Sequence, residues 1–487
     1  MKREKIFRLF GIVFLVLPAL TPDTAPAFDY VTSRCLNGDC RPPLRAVPAM
    51  PKPAKGASYN DPTFHTEVVR VTDKDSDGIA ALWKGSTALD PGLLVPEYSR
   101  SDPENADGTR LIITQGEGAL FLYDAQTLQF IKGLTSLAGG PIPENFPKNL
   151  EPRWDAADAD IFYYVYKMGL YKFNIRTDAI TLIRDFSTEF PEGSWITTDM
   201  EGEPSRDTRY WAFSVRRGNP HYDHFAIFTY DLRENRIIGR MQQDENWPDC
   251  TPYGRYCRMN TITVSPHGDR VVVEWNWQKN GNHSTWAYNL DFSQPVALGN
   301  DGHSDIALTA DNRQVHVIKD DSHDVIAMLD INTGARTNLV NLPLAGNPDE
   351  WGRGDYHISG NAYAKPGWVV VSTFGTTSQY WHYYQVFLLE LKENPRIWQI
   401  AQTHGLFPEG GGQHYWAETQ ATINRQGTRI YWRSNWGNTA GDVDTYRALP
   451  PPTWWQDLGG MESSIDTPES TAIVPPLEPL LLTEKKK

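Results

Sequence analysis

The chain has 487 residues, with 60 acidic against 46 basic side chains and a formal net charge of −14. So acidic a chain is a poor partner for nucleic acid, and any anionic ligand needs a local cation to be held against the global field. After the first residues no apolar run is long enough for a transmembrane helix, so no membrane span is expected.

Residues 1–27 read as a secretory signal peptide. Lys2, Arg3, Lys5 and Arg8 precede an apolar run from Leu9 to Leu20, and Ala25-Pro26-Ala27 offers small residues for cleavage after Ala27. Loss of this leader removes four bases and two acids and leaves the mature chain still more acidic. The expected destination is the periplasm or the medium. The first cysteine, Cys35, lies well past the cleavage point, so no lipid anchor is expected.

Residues 28–63, with repeated Pro, read as an extended arm. The four cysteines fall into two close pairs, Cys35/Cys40 and Cys250/Cys257. In an oxidising compartment these are two local disulfides, with metal ligation the alternative for the second pair. Asp73-Lys-Asp75-Ser-Asp77-Gly78 reproduces the first half of an EF-hand calcium loop, but Lys84 stands where the bidentate Glu belongs. Calcium at Asp73–Asp77 and a plain acidic turn are the two readings.

From there to residue 449 one grammar recurs seven times: a strand, a turn rich in Asp, Asn and Gly, a second strand of β-branched and aromatic residues, then a third. The turns begin at Asn105, Asp155, Pro204, Ser265, Thr309, Tyr363 and Asn424. Third strands often close on an acid, as in Phe121-Leu-Tyr-Asp124 and Phe228-Thr-Tyr-Asp231, and several precede a short fourth strand such as Arg236-Ile-Ile-Gly239. Four antiparallel strands repeated seven times predict an all-β, seven-bladed β-propeller over residues 64–449. The abundant Trp and Tyr then pack mainly between sheets.

In the last repeat Pro450-Pro451-Pro452 forbids a fourth ladder partner. Phe64 to Asp73 supplies a spare strand at the other end, and pairing Val68 to Val71 with the last blade closes the ring. Residues 450–487, Pro-rich and ending in three lysines, read as a poorly ordered tail.

The Ser265-Pro-His-Gly268 turn resembles the Ser-Pro-Asp-Gly turns of Tol-B-type and WD-like propellers. Within that group the whole mature chain is similar to the propeller polysaccharide lyases of the oligogalacturonate lyase and ulvan lyase type. The resemblance implies an exported enzyme that cuts an acidic polysaccharide or oligosaccharide by β-elimination, and the chain is expected to be a monomer. A non-catalytic periplasmic propeller that binds protein or glycan is the rival reading. A hydrolase built on two carboxylates is weaker, since no isolated acidic pair stands out.

Propeller ligands gather at the axial mouth where first strands begin. Eleven residues before the last residue of each six-residue turn stand Ser99, Asn149, Thr198, Met259, His303, His357 and Glu418. His303, His357 and Glu418 come from adjacent blades at one height, with Gln420 two residues on. Imidazole and carboxylate suit Zn²⁺ or Mn²⁺. The lyase resemblance implies a metal held here by His and Gln, although Glu418 and Gln420 stand where that pattern has His-x-His. Without metal, His303 or His357 serves as the base. Arg258 and Arg353 clamp the uronate carboxylate, and Tyr356 or His414 supplies the acid.

Overall fold

The computed structural model describes residues 28–40, 42–84, 92–115, 118–143, 150–217, 223–243, 258–276, 285–299, 303–320, 323–342, 354–375, 381–406, 414–438 and 442–460. The leader, Cys250, Cys257 and Arg353 lie outside them. No helix among the described residues is long and apolar enough to cross a membrane.

Seven antiparallel sheets follow one another along the chain as the blades of a propeller. In blades 2 to 5 strand order is sequence order: each chain segment enters at the axis and steps outward through hairpins. Blade 5 is representative, with Ser304–Leu308, Gln314–Asp320, Val325–Asp330 and Arg336–Asn341. Blade 1 has three full strands, Arg110–Gln115, Ala119–Asp124 and Phe130–Gly133, and its axial edge is made by single bridges from Val95 to Thr114 and from Glu104 to Leu111.

The turns hold themselves in shape. Asn105 Oδ1 accepts the N–H groups of Thr109 and Arg110, both at 2.9 Å, and Asn424 Oδ1 does the same for Thr428 and Arg429 at 2.8 and 3.1 Å. Gly108 and Gly427 sit at φ 67° and 63°, a left-handed conformation that costs glycine nothing.

The core is cut into wedges. One apolar cluster fills each junction between neighbouring blades: Ile112 and Leu120 of blade 1 meet Trp154 and Phe162 of blade 2, and Val317 of blade 5 meets Ile358 and Val371 of blade 6. The ring closes the same way, with Val69 and Tyr431 of blade 7 against Leu111 and Phe121 of blade 1. The fourth strand of blade 7 is Glu67–Arg70, antiparallel to Val443–Leu449 with Val68 opposite Ala448. Polar contacts reinforce the seam, since Asn424 Nδ2 and Arg429 Nη1 each donate to Glu104 Oε2 at 2.8 Å.

The flanks are more integrated than their composition suggests. In the arm, Thr32–Arg34 adds a fifth strand to blade 6 and Ser58–Asn60 a fifth to blade 7; Cys35 and Cys40 are disulfide-bonded. The start of the Pro-rich tail is ordered rather than loose: Trp454 and Trp455 are buried, their indole N–H groups donating to Gly427 O and Pro366 O at 2.8 and 2.9 Å. The acidic turn after the closing strand forms no group of three acidic ligands among the described residues. Asp73 pairs with Arg70 at 2.7 Å, while Asp77 takes Lys55 and the Tyr123 hydroxyl. These carboxylates are engaged by cationic side chains of the protein.

Candidate axial site

Three blades deliver side chains to one point on the axis. His303 directly precedes the innermost strand of blade 5, His357 lies on that of blade 6 (Gly354–Ser359), and Glu418 and Gln420 precede that of blade 7 (Thr422–Ile423). The His303 and His357 rings stack with centroids 4.1 Å apart. His357 Nε2 lies 3.1 Å from Glu418 Oε2, which also accepts from Gln420 Nε2 at 3.0 Å.

Burial alone would raise the Glu418 carboxyl. The hydrogen bond and charge of His357, the Gln420 amide and the charge of His303 outweigh it and hold Glu418 below the usual carboxylate range. As a carboxylate Glu418 can only accept, so His357 Nε2 carries the hydrogen. The His303 tautomer follows likewise. Its Nδ1 is 2.9 Å from the backbone oxygen of Tyr356, an acceptor, so Nδ1 donates and the Nε2 of a neutral ring keeps its lone pair.

Gln420 is fully buried and its Oε1 has no hydrogen-bond partner. Its φ of 39° lies in the sparsely populated left-handed region. Strain and an orphaned acceptor at one residue cost stability, and both concentrate at functional sites.

Other expected residues fall elsewhere. Tyr356 precedes His357 on its strand, and successive side chains of a strand face opposite ways. Its ring is therefore buried among Val317, Ile358 and Val371 between blades 5 and 6, away from the site and not placed to protonate a leaving group. The side chains of Arg258 and His414 lie outside the described residues, as does Arg353.

The repeat count places Glu201 and Glu203 near the mouth, but sequence reasoning missed Tyr98, Arg100, Arg153, Glu274 and Arg433, which surround the cluster. The chain between Leu94 and Asn105 carries Tyr98 and Arg100 into the centre. Tyr98 meets His357 edge-on at 5.5 Å, and burial first, then the charge of Glu201, pushes its phenol well above the ordinary value. Arg100 Nη2 binds Glu274 at 2.9 Å, Ser304 Oγ at 2.8 Å and Glu201 at 3.5 Å. Despite its burial Glu274 is held well below the usual range by Arg100 and His316. Arg153 pairs with Glu97 at 2.5 Å and with Glu203. Arg433 on the second strand of blade 7 reaches the same region, donating to Pro96 O and Glu97 O at 2.9 and 2.6 Å. No local pattern marks these residues; they become axial only because loops of different blades fold over the funnel.

The donor types fit a divalent ion in kind, with the His303 imidazole and an orphaned Gln420 Oε1 beside the Glu418 carboxylate. Among the described residues, however, no three His, Cys, Asp or Glu side chains are grouped as a metal cage, and His357 and Glu418 are turned on each other.

No protein-family description matches this chain, and no curated protein matches it by sequence. Solved structures do. It is similar to an oligogalacturonate lyase in complex with manganese, at 13% identity over 82% of this chain and 97% of that one, with a TM-score of 0.55. It is also similar to an oligogalacturonate lyase from Vibrio parahaemolyticus, at 14% identity over 82% of this chain and all of that one, with a TM-score of 0.53. At such identities the likeness is one of fold.

Proposed function

We propose that the chain is an exported lyase that cleaves a uronic-acid-containing glycan by β-elimination at the axial mouth of the propeller. The observation that carries this reading is the meeting of His303, His357, Glu418 and Gln420 from three adjacent blades. The fold likeness to two oligogalacturonate lyases supports it, and the basic-then-apolar leader and the Cys35–Cys40 disulfide support export.

The reaction removes the proton α to the uronate carboxylate and expels the glycosidic oxygen at the β carbon, leaving a carbon–carbon double bond. His303 acts as the base through Nε2, its ring aimed by the Tyr356 carbonyl. Glu418 fixes His357 and adds negative charge that favours a protonated imidazole nearby. Tyr98 replaces Tyr356 as the phenol available to the leaving oxygen. In the alternative in which a Mn²⁺ or Zn²⁺ is held by His303 Nε2, Gln420 and Glu418, it would supply positive charge to the substrate carboxylate, and the base would then be a group other than His303.

The test incubates the protein with a panel of uronate polysaccharides, with and without added Mn²⁺ or Zn²⁺, and follows ultraviolet absorbance of unsaturated ends. His303→Gln should lower kcat by about 10²-fold or more, the usual contribution of a general base. Silence on every acidic glycan, with either metal and without, removes the lyase reading. The rival, a glycan-binding propeller without catalysis, draws on the internal satisfaction of His357 by Glu418; it predicts binding to the same panel with no unsaturated product.

A further inference from the structure

Arg433 is a buried cation without an ion-pair partner among the described residues, although Glu418 and Glu97 lie close enough to stabilise its charge at longer range. Its residue exposure is 1%, and Nε and Nη1 are both buried with no hydrogen-bond partner. Only Nη2 is engaged, by the neutral carbonyls of Pro96 and Glu97. The other two axial arginines described above are paired, Arg100 with Glu274 and Arg153 with Glu97. Among the described residues no carboxylate lies within ion-pair distance of Arg433. A guanidinium stays protonated even where burial lowers its pKa, as it does here. An unpaired charge in such a place is costly unless a ligand completes it.

The surroundings fit an anionic sugar. The Arg433 backbone N–H bonds Thr419 O at 2.9 Å, one residue from Glu418, which ties this arginine to the site. Its guanidinium lies 6.0 and 5.8 Å from the ring centres of Tyr415 and Trp416 on the short helix His414–Ala417. Tyr415 is 45% exposed, a flat apolar face of the kind that packs on a pyranose. A cavity of about 40 Å³, lined among others by Glu97, Met200, Tyr415 and Trp416, adjoins these rings, with Arg433 behind its lining residues and not among them.

We propose that Arg433 receives the carboxylate of the sugar bound at the axial mouth, its unpartnered N–H groups donating to the carboxylate oxygens. This rests on the reading of the mouth as a uronate site and assigns the charge recognition there to one residue on blade 7.

The experiment titrates galacturonate, glucuronate and mannuronate, and the methyl ester of each, into the wild-type protein, R433K and R433Q by calorimetry, with thermal melts to verify folding. Monosaccharides cannot be cleaved, so binding is read apart from turnover. The wild type should bind at least one acid about tenfold or more tighter than its ester, the usual worth of a charge-assisted hydrogen bond. R433K should weaken that preference and R433Q abolish it. Equal binding of acid and ester by the wild type, no acid preference at all, or a preference unchanged in R433K and R433Q each overturns the proposal. If R433Q does not fold, the wild-type ratio and R433K decide. An Arg433-dependent preference without unsaturated product leaves this assignment standing and removes the lyase; product formation unchanged in R433K and R433Q does the reverse.

Discussion

Glu97 and Glu203 share the Arg153 guanidinium, and Asp305 is held by backbone N–H groups of Gly360 and Ile306. Burial dominates all three, pushing Glu97 up to about 7, Glu203 to about 8 and Asp305 to about 7. A carboxyl with a raised folded pKa holds its proton longer in the native state than in the unfolded chain, so its stabilisation is complete below the unfolded value and lost as pH rises through the folded one. Two histidines oppose this at lower pH: burial depresses His382 to about 3 and His404 to about 4, so their contribution grows with pH up to the ordinary histidine value of about 6.5. Above that the carboxyls dominate until about pH 8, where Lys365, pushed down to about 8 by burial, begins to oppose them. The melting temperature should fall from about pH 6.5 to 8, and Glu203→Gln should flatten the slope. A melting temperature that holds or rises over that interval would refute the assignment of protonated acids. The same scale shows what sequence could give. His303, His357 and Glu418 were legible because the repeat puts them in one register. Arg153 and Arg433 were not, because a buried cation has no periodic mark and its burial exists only once other blades cover it.

Elements were legible where a pattern of two or a turn marks them. The closing strand Glu67–Arg70 declares itself through its β-branched residues before the first repeat and through the prolines that deny the last blade a fourth strand of its own. The segment after those prolines misled for the same reason. Pro450 to Pro452 suggested a solvated tail, yet the single helical turn Trp454–Asp457 carries two indoles into the junction of blades 6 and 7, where they meet Trp368, Trp398 and Ile430. Four residues are too few for a helical period to show, so only packing identifies the turn. Trp454→Ala leaves a large void and an unpaired Gly427 carbonyl, and should cost about 3–5 kcal/mol in chemical denaturation. A loss under about 1 kcal/mol, the size of a surface effect, would mean the turn is only resting on the blades.

At the scale of the whole molecule the puzzle is charge. A chain of net −14 is proposed to bind a polyanion through a few buried arginines, two of which are already paired. Short-range attraction at the mouth and long-range repulsion from the body then respond differently to salt, because buried contacts are screened far less than exposed ones. Raising ionic strength from about 0.01 to 0.15 M shortens the Debye length from about 30 to 8 Å. That should weaken the body's repulsion of a long uronate chain while leaving the contacts at Arg433 and the His303–Glu418 cluster nearly intact. The apparent KM for a uronate polymer is therefore expected to fall over this range, whereas the affinity for a uronate monosaccharide, which feels little of the distant surface, changes much less. A basic groove running outward from the mouth would give the opposite trend, polymer binding weakening steeply with salt as counterions compete. Measuring KM for one polymer and Kd for its monomer across the same salt series separates the two, and a polymer KM that rises with salt would place the recognition on the surface instead of in the funnel.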